Sequence, residues 1–418
     1  MIFNLLSIRS GLVFFGCAWL IGITAASAES IVVRTGDGIP AGPISFKPAK
    51  ALKAGDYTLT AGGRQIAAQA SADGQLYWWT GGLEKGQTLT YQLAPAQVEP
   101  RVQVRKSSDE QIDVTIDGKP FTTLNFKKDE PKVYLYPVIG PTGVGVTRDF
   151  IMRENEVERE NKRQDHPHHR SLWTAHGDVR VGDFNKKGYD FWAEPKNRPV
   201  PKQVLTRVVQ LESGSVFGRI VAEIEWRTPE GQRLFTEVRT YTFFPGDADQ
   251  RVIDVQNVFK FDDMDVKFAD TKEGGIVAIR LAVTMDEVGT KTPRDVRGRM
   301  TNSRGGVGAG ECWGRPAEWC DYVGPLGDDT VGVAVLDHPK NLRHPTTWHI
   351  RDYGLYTANP FGLHDFPDGK DRDGSVVWKK GENAEFNYRI IIHKGDTAAA
   401  RIADQWQVYK QQPNITLE

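Results

Sequence analysis

The sequence predicts an all-β protein: a large antiparallel β-sandwich, a supersandwich in form, with a small N-terminal β-sandwich module and a C-terminal helix. Three observations carry this. Apolar and polar residues alternate in stretch after stretch; in GRIVAEIEW, Ile220, Ala222, Ile224 and Trp226 alternate with Arg219, Glu223 and Glu225, the period of a half-buried strand. Turn dipeptides such as Asp117-Gly118 punctuate the runs, as hairpins require. No strand–helix–strand rhythm appears, which excludes a doubly wound parallel sheet.

The elements follow in order. In residues 1–28 an apolar run from Gly11 to Ile23 lies between Arg9 and Ala26-Ser27-Ala28. It is too short and interrupted for a membrane span and has the layout of a signal peptide cleaved before Glu29. The remainder is expected to be exported, periplasmic or extracellular, with no membrane span after cleavage. Residues 29–98 hold short strands broken by turns (AGDYTLTAGG, SADGQLYWWTGG, KGQTLTYQLAPAQ) and form the small N-terminal module. LAPAQVEPRV, with Pro95 and Pro100, is the linker. The large domain is residues 101–418. QIDVTIDGKPFTTLNF reads as two strands, and FTEVRTYTFF, RVIDVQNVFKF, GGIVAIRLAV, TVGVAVL and FNYRIII add more. Asp396-Thr397 caps a helix over AAARIADQWQVYKQQ, with Ile402, Trp406 and Tyr409 on its packed face.

Lys plus Arg (53) balances Asp plus Glu (54), so no global field favours nucleic acid or an anionic membrane. Without Cys17, two cysteines remain, Cys312 and Cys320; in an oxidising compartment so close a pair is expected to form a disulfide.

The densest chemistry is DHPHHRSLWTAHGD, residues 165–178, with four of the nine histidines. Pro167 should hold HPHH extended, so that His166 and His168 share a face while His169 points away. His166 and His168, with His176 or Asp178 closing the set, are candidate ligands for one divalent metal ion; the plainer reading makes these histidines a structural polar corner. As catalytic groups the stretch offers His168, His169, Arg170, His176 and Asp178. Trp173 within it, and Asp183 and Trp192 of GDFNKKGYDFW, suit sugar binding, with ring faces for C–H groups and carboxylates for hydroxyls. A second stretch, RHPTTWHIRDYGLYTANPFGLHDF (343–366), reads as irregular chain. It offers His349, Arg351, Asp352 and Tyr353 for catalysis and Asn359 and His364 for binding; Arg351 could grip a carboxylate and Tyr353 could transfer a proton. In DTKEGG, Glu273 is a further binding residue or general acid. No Gly-x-Ser-x-Gly elbow or phosphate loop is present.

YPVIGPTGVGVTRDF, DHPHHRSLWTAHGD, DTKEGG, GRPAEWCDYVGP and HPTTWHIRDYGLYTANPFG, in this order over about residues 130–395, resemble the bacterial exported family labelled PmoA-like, or DUF6807. Cys320 stands where that family's pattern has valine or a similar residue. The methane-oxygenase sense of the label does not suit this chain, because that oxygenase subunit crosses the membrane repeatedly. The resemblance implies an all-β domain, similar to the galactose-mutarotase supersandwich, and a role in carbohydrate breakdown. The function expected is a secreted carbohydrate-active lyase or glycoside hydrolase acting through a His/Arg/Asp site. The alternatives are a non-catalytic glycan-binding protein, favoured by aromatic platforms with few perturbed ionisable groups, and a metal-dependent oxidoreductase, which needs three convergent ligands.

Overall fold

The computed structural model describes residues 29–287 and 297–418; the expected signal peptide lies outside the described residues. The first strands are β1 (Ser30–Arg34), β2 (Ile39–Phe46), β3 (Gly55–Ala61), β4 (Arg64–Ala70), β5 (Leu76–Leu83) and β6 (Thr88–Pro95). There follow β7 (Val102–Ser108), β8 (Gln111–Ile116), β9 (Lys119–Asn125), β10 (Tyr134–Val138), a short helix α1 (Glu156–Glu160), β11 (Leu172–His176) and β12 (Val179–Val181). Long strands β13 (Lys202–Glu212), β14 (Gly218–Arg227), β15 (Arg233–Phe244) and β16 (Gln250–Lys260) precede β17 (Val266–Phe268), β18 (Gly274–Arg280) and β19 (Arg299–Asn302). The chain ends with α2 (Ala309–Cys312), β20 (Trp319–Leu326), β21 (Asp329–Asp337), β22 (Trp348–Ile350), β23 (Leu355–Ala358), β24 (Val376–Trp378), β25 (Asn383–Lys394), α3 (Ile402–Lys410) and β26 (Asn414–Leu417).

The fold is all-β, as the alternation predicts. Two eight-stranded antiparallel sheets, ordered β22-β23-β18-β11-β10-β9-β8-β7 and β13-β14-β15-β16-β25-β21-β20-β19, bury one core between them. The first sheet contributes Ile112, Leu135, Leu172 and Ile279; the second contributes Ile220, Phe243, Ile253 and Ile390. In β14 the alternating apolar residues Ile220, Ala222, Ile224 and Trp226 all face this core. The hairpin at Asp117-Gly118 forms with both residues at positive φ (49° and 74°), the geometry that matches strand twist in a two-residue turn. β12, β17 and β24 make a small third sheet.

The N-terminal strands form a seven-stranded sheet, β2-β5-β4-β3-β6-β1-β26, whose last strand comes from the C-terminus. Its core includes Ile31, Leu59 and Trp78, with Val408 of α3. The helix is shorter than its apolar face suggested. Asp396 accepts a hydrogen bond from the Ala399 N–H, but Arg401 in the left-handed region (φ 52°) breaks the winding, and α3 begins only at Ile402.

The expected disulfide is absent. Cys312 and Cys320 are both buried free thiols, packed as small apolar groups in the core between the sheets. Burial raises both thiols, Cys312 to about 12, so neither is a reactive thiolate.

Candidate functional site

Strand order brings the two polar stretches together. β11 runs antiparallel to β18, and β18 to β23, with Leu172 opposite Ile279 and Arg280 opposite Leu355. The residues before β11, the end of β18 and the residues before β23 therefore meet at one end of these three adjacent strands of the first sheet.

The HPHH segment is not extended as predicted. His166 takes a left-handed conformation (φ 49°) and its carbonyl accepts the His169 N–H at 2.9 Å, so residues 166–169 form a turn with Pro167 in the second position, where its fixed φ is favoured. All three rings consequently converge. His166 stacks on His169 (centroids 4.8 Å apart, 10° between planes), and His168 packs edge-on against His169 at 4.5 Å. Two buried cations brace the turn from below. The Lys132 ammonium donates to the carbonyls of His168 (3.0 Å) and Trp192 (2.8 Å), and Arg170 donates to the Pro167 carbonyl. Both pair with Glu194. Burial lowers the Lys132 ammonium to about 8, with Glu194 opposing. Arg170, a catalytic candidate in the sequence, is thus a structural brace.

The second stretch is more regular than predicted: β22 and β23 form a hairpin whose tip, Arg351–Gly354, reaches the turn. Gly354 is required there, since its φ is +81° and a Cβ would lie 2.6 Å from an Asp286 carboxylate oxygen. The Tyr353 ring stacks on His166 with centroids 5.0 Å apart and 12° between planes. The guanidinium groups of Arg280 and Arg351 lie over the same ring at 4.9 and 5.3 Å.

Beneath this stack, Arg280 holds two partners. Its Nη2 donates to Asp165 at 2.6 Å and its Nη1 to His169 Nδ1 at 2.7 Å. His169 therefore accepts at Nδ1; burial and the Arg280 charge push it well below the ordinary histidine range, and it is neutral. Burial and adjacent Lys132 likewise lower His168 to about 3. Against the burial that would raise it, His166 and Arg280 hold Asp165 down to about 2. His166 Nδ1 lies 3.1 Å from Asp165 Oδ1, an ion-pair distance not aligned as a hydrogen bond. The fully buried Asp286 takes Arg148 at 2.7 Å. Tyr353 is raised, chiefly by burial, with Arg351 and Arg280 opposing and the Glu273 charge adding; the Glu273 carboxylate itself pairs with Lys272 at 3.2 Å.

Other sequence candidates lie elsewhere or do other work. Trp173 and His176 are three apart on β11 and so face opposite ways. His176 points into the core, with Nε2 2.9 Å from the Ala269 carbonyl and its ring stacked on Phe268. It lies apart from His166 and His168, and among the described residues no three His, Cys, Asp or Glu side chains gather as metal ligands. Trp173 and Trp192 are buried against each other and His169, offering solvent no ring face for a sugar. Asp178 is gripped by Arg180 (2.6 Å). Asp183 lies in an exposed loop, accepting the Asn185 N–H. His349 is buried and accepts the Trp313 indole N–H at 2.9 Å; burial lowers it to about 3. Asn359 ties down the carbonyls of Thr271 and Lys272, and His364 lies in an exposed turn, its backbone N–H on Asp270. Asp352 stays at the hairpin tip, its carbonyl accepting the Glu287 N–H. Sequence reading missed Arg148, Arg280, Asp286, Lys132 and Glu194. Arg280 leaves one signal: a charge ending the otherwise apolar run GGIVAIR, and buried charges need partners.

Comparison with solved structures finds distant likenesses. One is a protein in the glycosyl hydrolase family 38 from Enterococcus faecalis, 9% identical, covering 94% of this chain and 47% of that one, with a TM-score of 0.35. Another is the heparinase III BT4657 gene product, 12% identical, covering 85% and 37%, with a TM-score of 0.23. The chain thus spans less than half the length of either. No curated protein matches. The family model described as a family of unknown function (DUF6807) matches residues 111–407. The chain belongs to the DUF6807 family.

Proposed function

We propose that the protein is an exported carbohydrate-active enzyme that cleaves uronate-containing glycans by β-elimination at the His166–Tyr353 cluster. The observation that carries this reading is the stacking of a histidine set beside Asp165 on a tyrosine flanked by two guanidinium groups. Arg351 has no carboxylate partner among the described residues and is the group to bind the substrate carboxylate, stabilising the negative charge that develops there. With Nδ1 turned to Asp165, His166 has Nε2 to accept the proton from the carbon next to that carboxylate. The released electron pair forms the new C=C bond and the C–O bond at the neighbouring carbon breaks. Tyr353, kept protonated by burial, donates its proton to the leaving oxygen.

The test incubates the purified protein with a panel of uronate polymers and follows the ultraviolet absorbance of the unsaturated product. His166→Ala and Tyr353→Phe should each lower turnover by roughly 100-fold or more, the typical contribution of a positioned acid or base. Failure of the wild type to form unsaturated product from any member sinks the reading. Hydrolysis is a second reading, because the charges of Glu273 and Asp165 both act on Tyr353 and the two carboxyls could share acid and base roles. Reducing ends released without a double bond would favour it.

A further inference from the structure

A cavity of about 550 Å³ lies where the N-terminal sheet and α3 meet the outer face of the second large sheet. Its floor is two cross-strand rows. Arg219, Thr242, Asp254 and Arg389 make one, and Thr240, Gln256 and Asn387 the other. Walls rise from Tyr77 of β5 and Tyr409 of α3. None of these residues belongs to the His166–Tyr353 cluster.

The rows are fixed before any ligand arrives. Arg389 grips Asp254 through two bonds (2.7 and 2.8 Å) and stacks over Tyr409 at 4.8 Å. Arg219 donates to Thr242 (3.1 Å) and lies over the Tyr77 ring at 5.6 Å. Gln256 and Asn387 each donate to Glu385 at 2.9 Å, while neither side-chain carbonyl accepts a hydrogen bond within the described residues. Hydroxyl donors of a ligand would meet two unmatched acceptors beside the Thr240 hydroxyl. Charges in the lining balance, with Arg219, Arg389 and Lys340 against Asp73, Asp254 and Glu385. Such a surface does not select for charge. A pocket of this size, with flat polar groups and tyrosines at its edges, suits one or two sugar rings.

We infer that this cavity is a binding site for a neutral oligosaccharide, separate from the candidate catalytic cluster and independent of the reaction assigned to it. It would hold an uncharged part of a glycan against the molecule. The test is calorimetric titration of the full chain with neutral gluco-, manno- and xylo-oligosaccharides and with an oligogalacturonide. At least one neutral member should bind. Loss of two hydrogen-bonding amides in Gln256→Ala/Asn387→Ala should weaken it about tenfold or more, and Thr240→Trp, which fills the cavity from another strand, should abolish binding. His166→Ala should leave it unchanged. If no neutral oligosaccharide binds, if the cavity variants bind as the wild type does, or if the oligogalacturonide alone is sensitive to them, the inference falls.

Discussion

Arg280 organises the candidate site, because one planar guanidinium spans Asp165 and His169 while its face meets Tyr353. Lysine cannot reproduce that fork. In Arg280→Ala, His169 loses both a cationic neighbour and the donor at Nδ1. Its pKa should rise, since removing a positive charge eases protonation, and an NMR titration of the His169 ring reads this directly. Loss of hydrogen bonds from a charged donor should also cost about 2 kcal/mol of stability, measured by urea unfolding. An unmoved His169 titration would mean that burial alone sets its state. At this scale the sequence was half legible. Asp165, His166 and Tyr353 stand in conspicuous runs of reactive residues, but Arg280 and Arg148 stand alone in apolar or mixed stretches, and only folding pairs them with Asp165 and Asp286.

The strands show what alternation reveals and what it hides. In β15 Phe235, Glu237, Arg239, Tyr241 and Phe243 share the buried face, while Val238 and Thr240 face outward. The period is right, yet its middle members bury a carboxylate and a guanidinium, because the aromatic residues at either end set the register. Glu237 and Arg239 bond to each other at 2.6 and 2.8 Å. Glu237 also accepts from the Trp226 indole at 2.7 Å and from Asn257. Arg239→Met should therefore destabilise the sandwich by about 3–5 kcal/mol, because it strands a buried carboxylate. Glu237→Leu/Arg239→Met, which removes both charges, should recover most of that loss in chemical denaturation. If the double variant is no more stable than the single, the Trp226 and Asn257 bonds matter more than the charge. The same period places His176 on the core side of β11, a consequence of its three-residue distance from Trp173. The HPHH turn was hidden for another reason: proline fixes its own φ but not the left-handed His166 before it.

Across the whole molecule, histidine burial dictates how stability follows pH. His168 and His349 are lowered to about 3 and His176 to about 4, each mainly by burial, and His169 falls well below its ordinary value of 6.5. Each group has a folded pKa below its unfolded one, so its contribution is complete above pH 6.5 and is lost as pH falls toward the folded value. Between pH 6.5 and about 4 the unfolded chain binds protons at these four positions that the folded chain refuses. Each proton steepens the slope by about 1.4 kcal/mol per pH unit. His393 acts in the opposite range. Despite its burial, the adjacent Asp321 carboxylate raises it, so its contribution is whole below pH 6.5 and fades as pH climbs through the raised value. Stability should peak near neutrality, with an acid limb steeper than carboxylates alone would give. Urea unfolding at successive pH values tests this. His176→Phe, whose ring fits the existing stack on Phe268, should flatten the acid limb by about one proton, and His393→Gln should flatten only the alkaline side. An acid limb unchanged in His176→Phe would show that this ring leaves the core and protonates before the molecule unfolds, which a side chain enclosed by Phe268, Phe361 and the Ala269 carbonyl has no room to do without opening the sandwich.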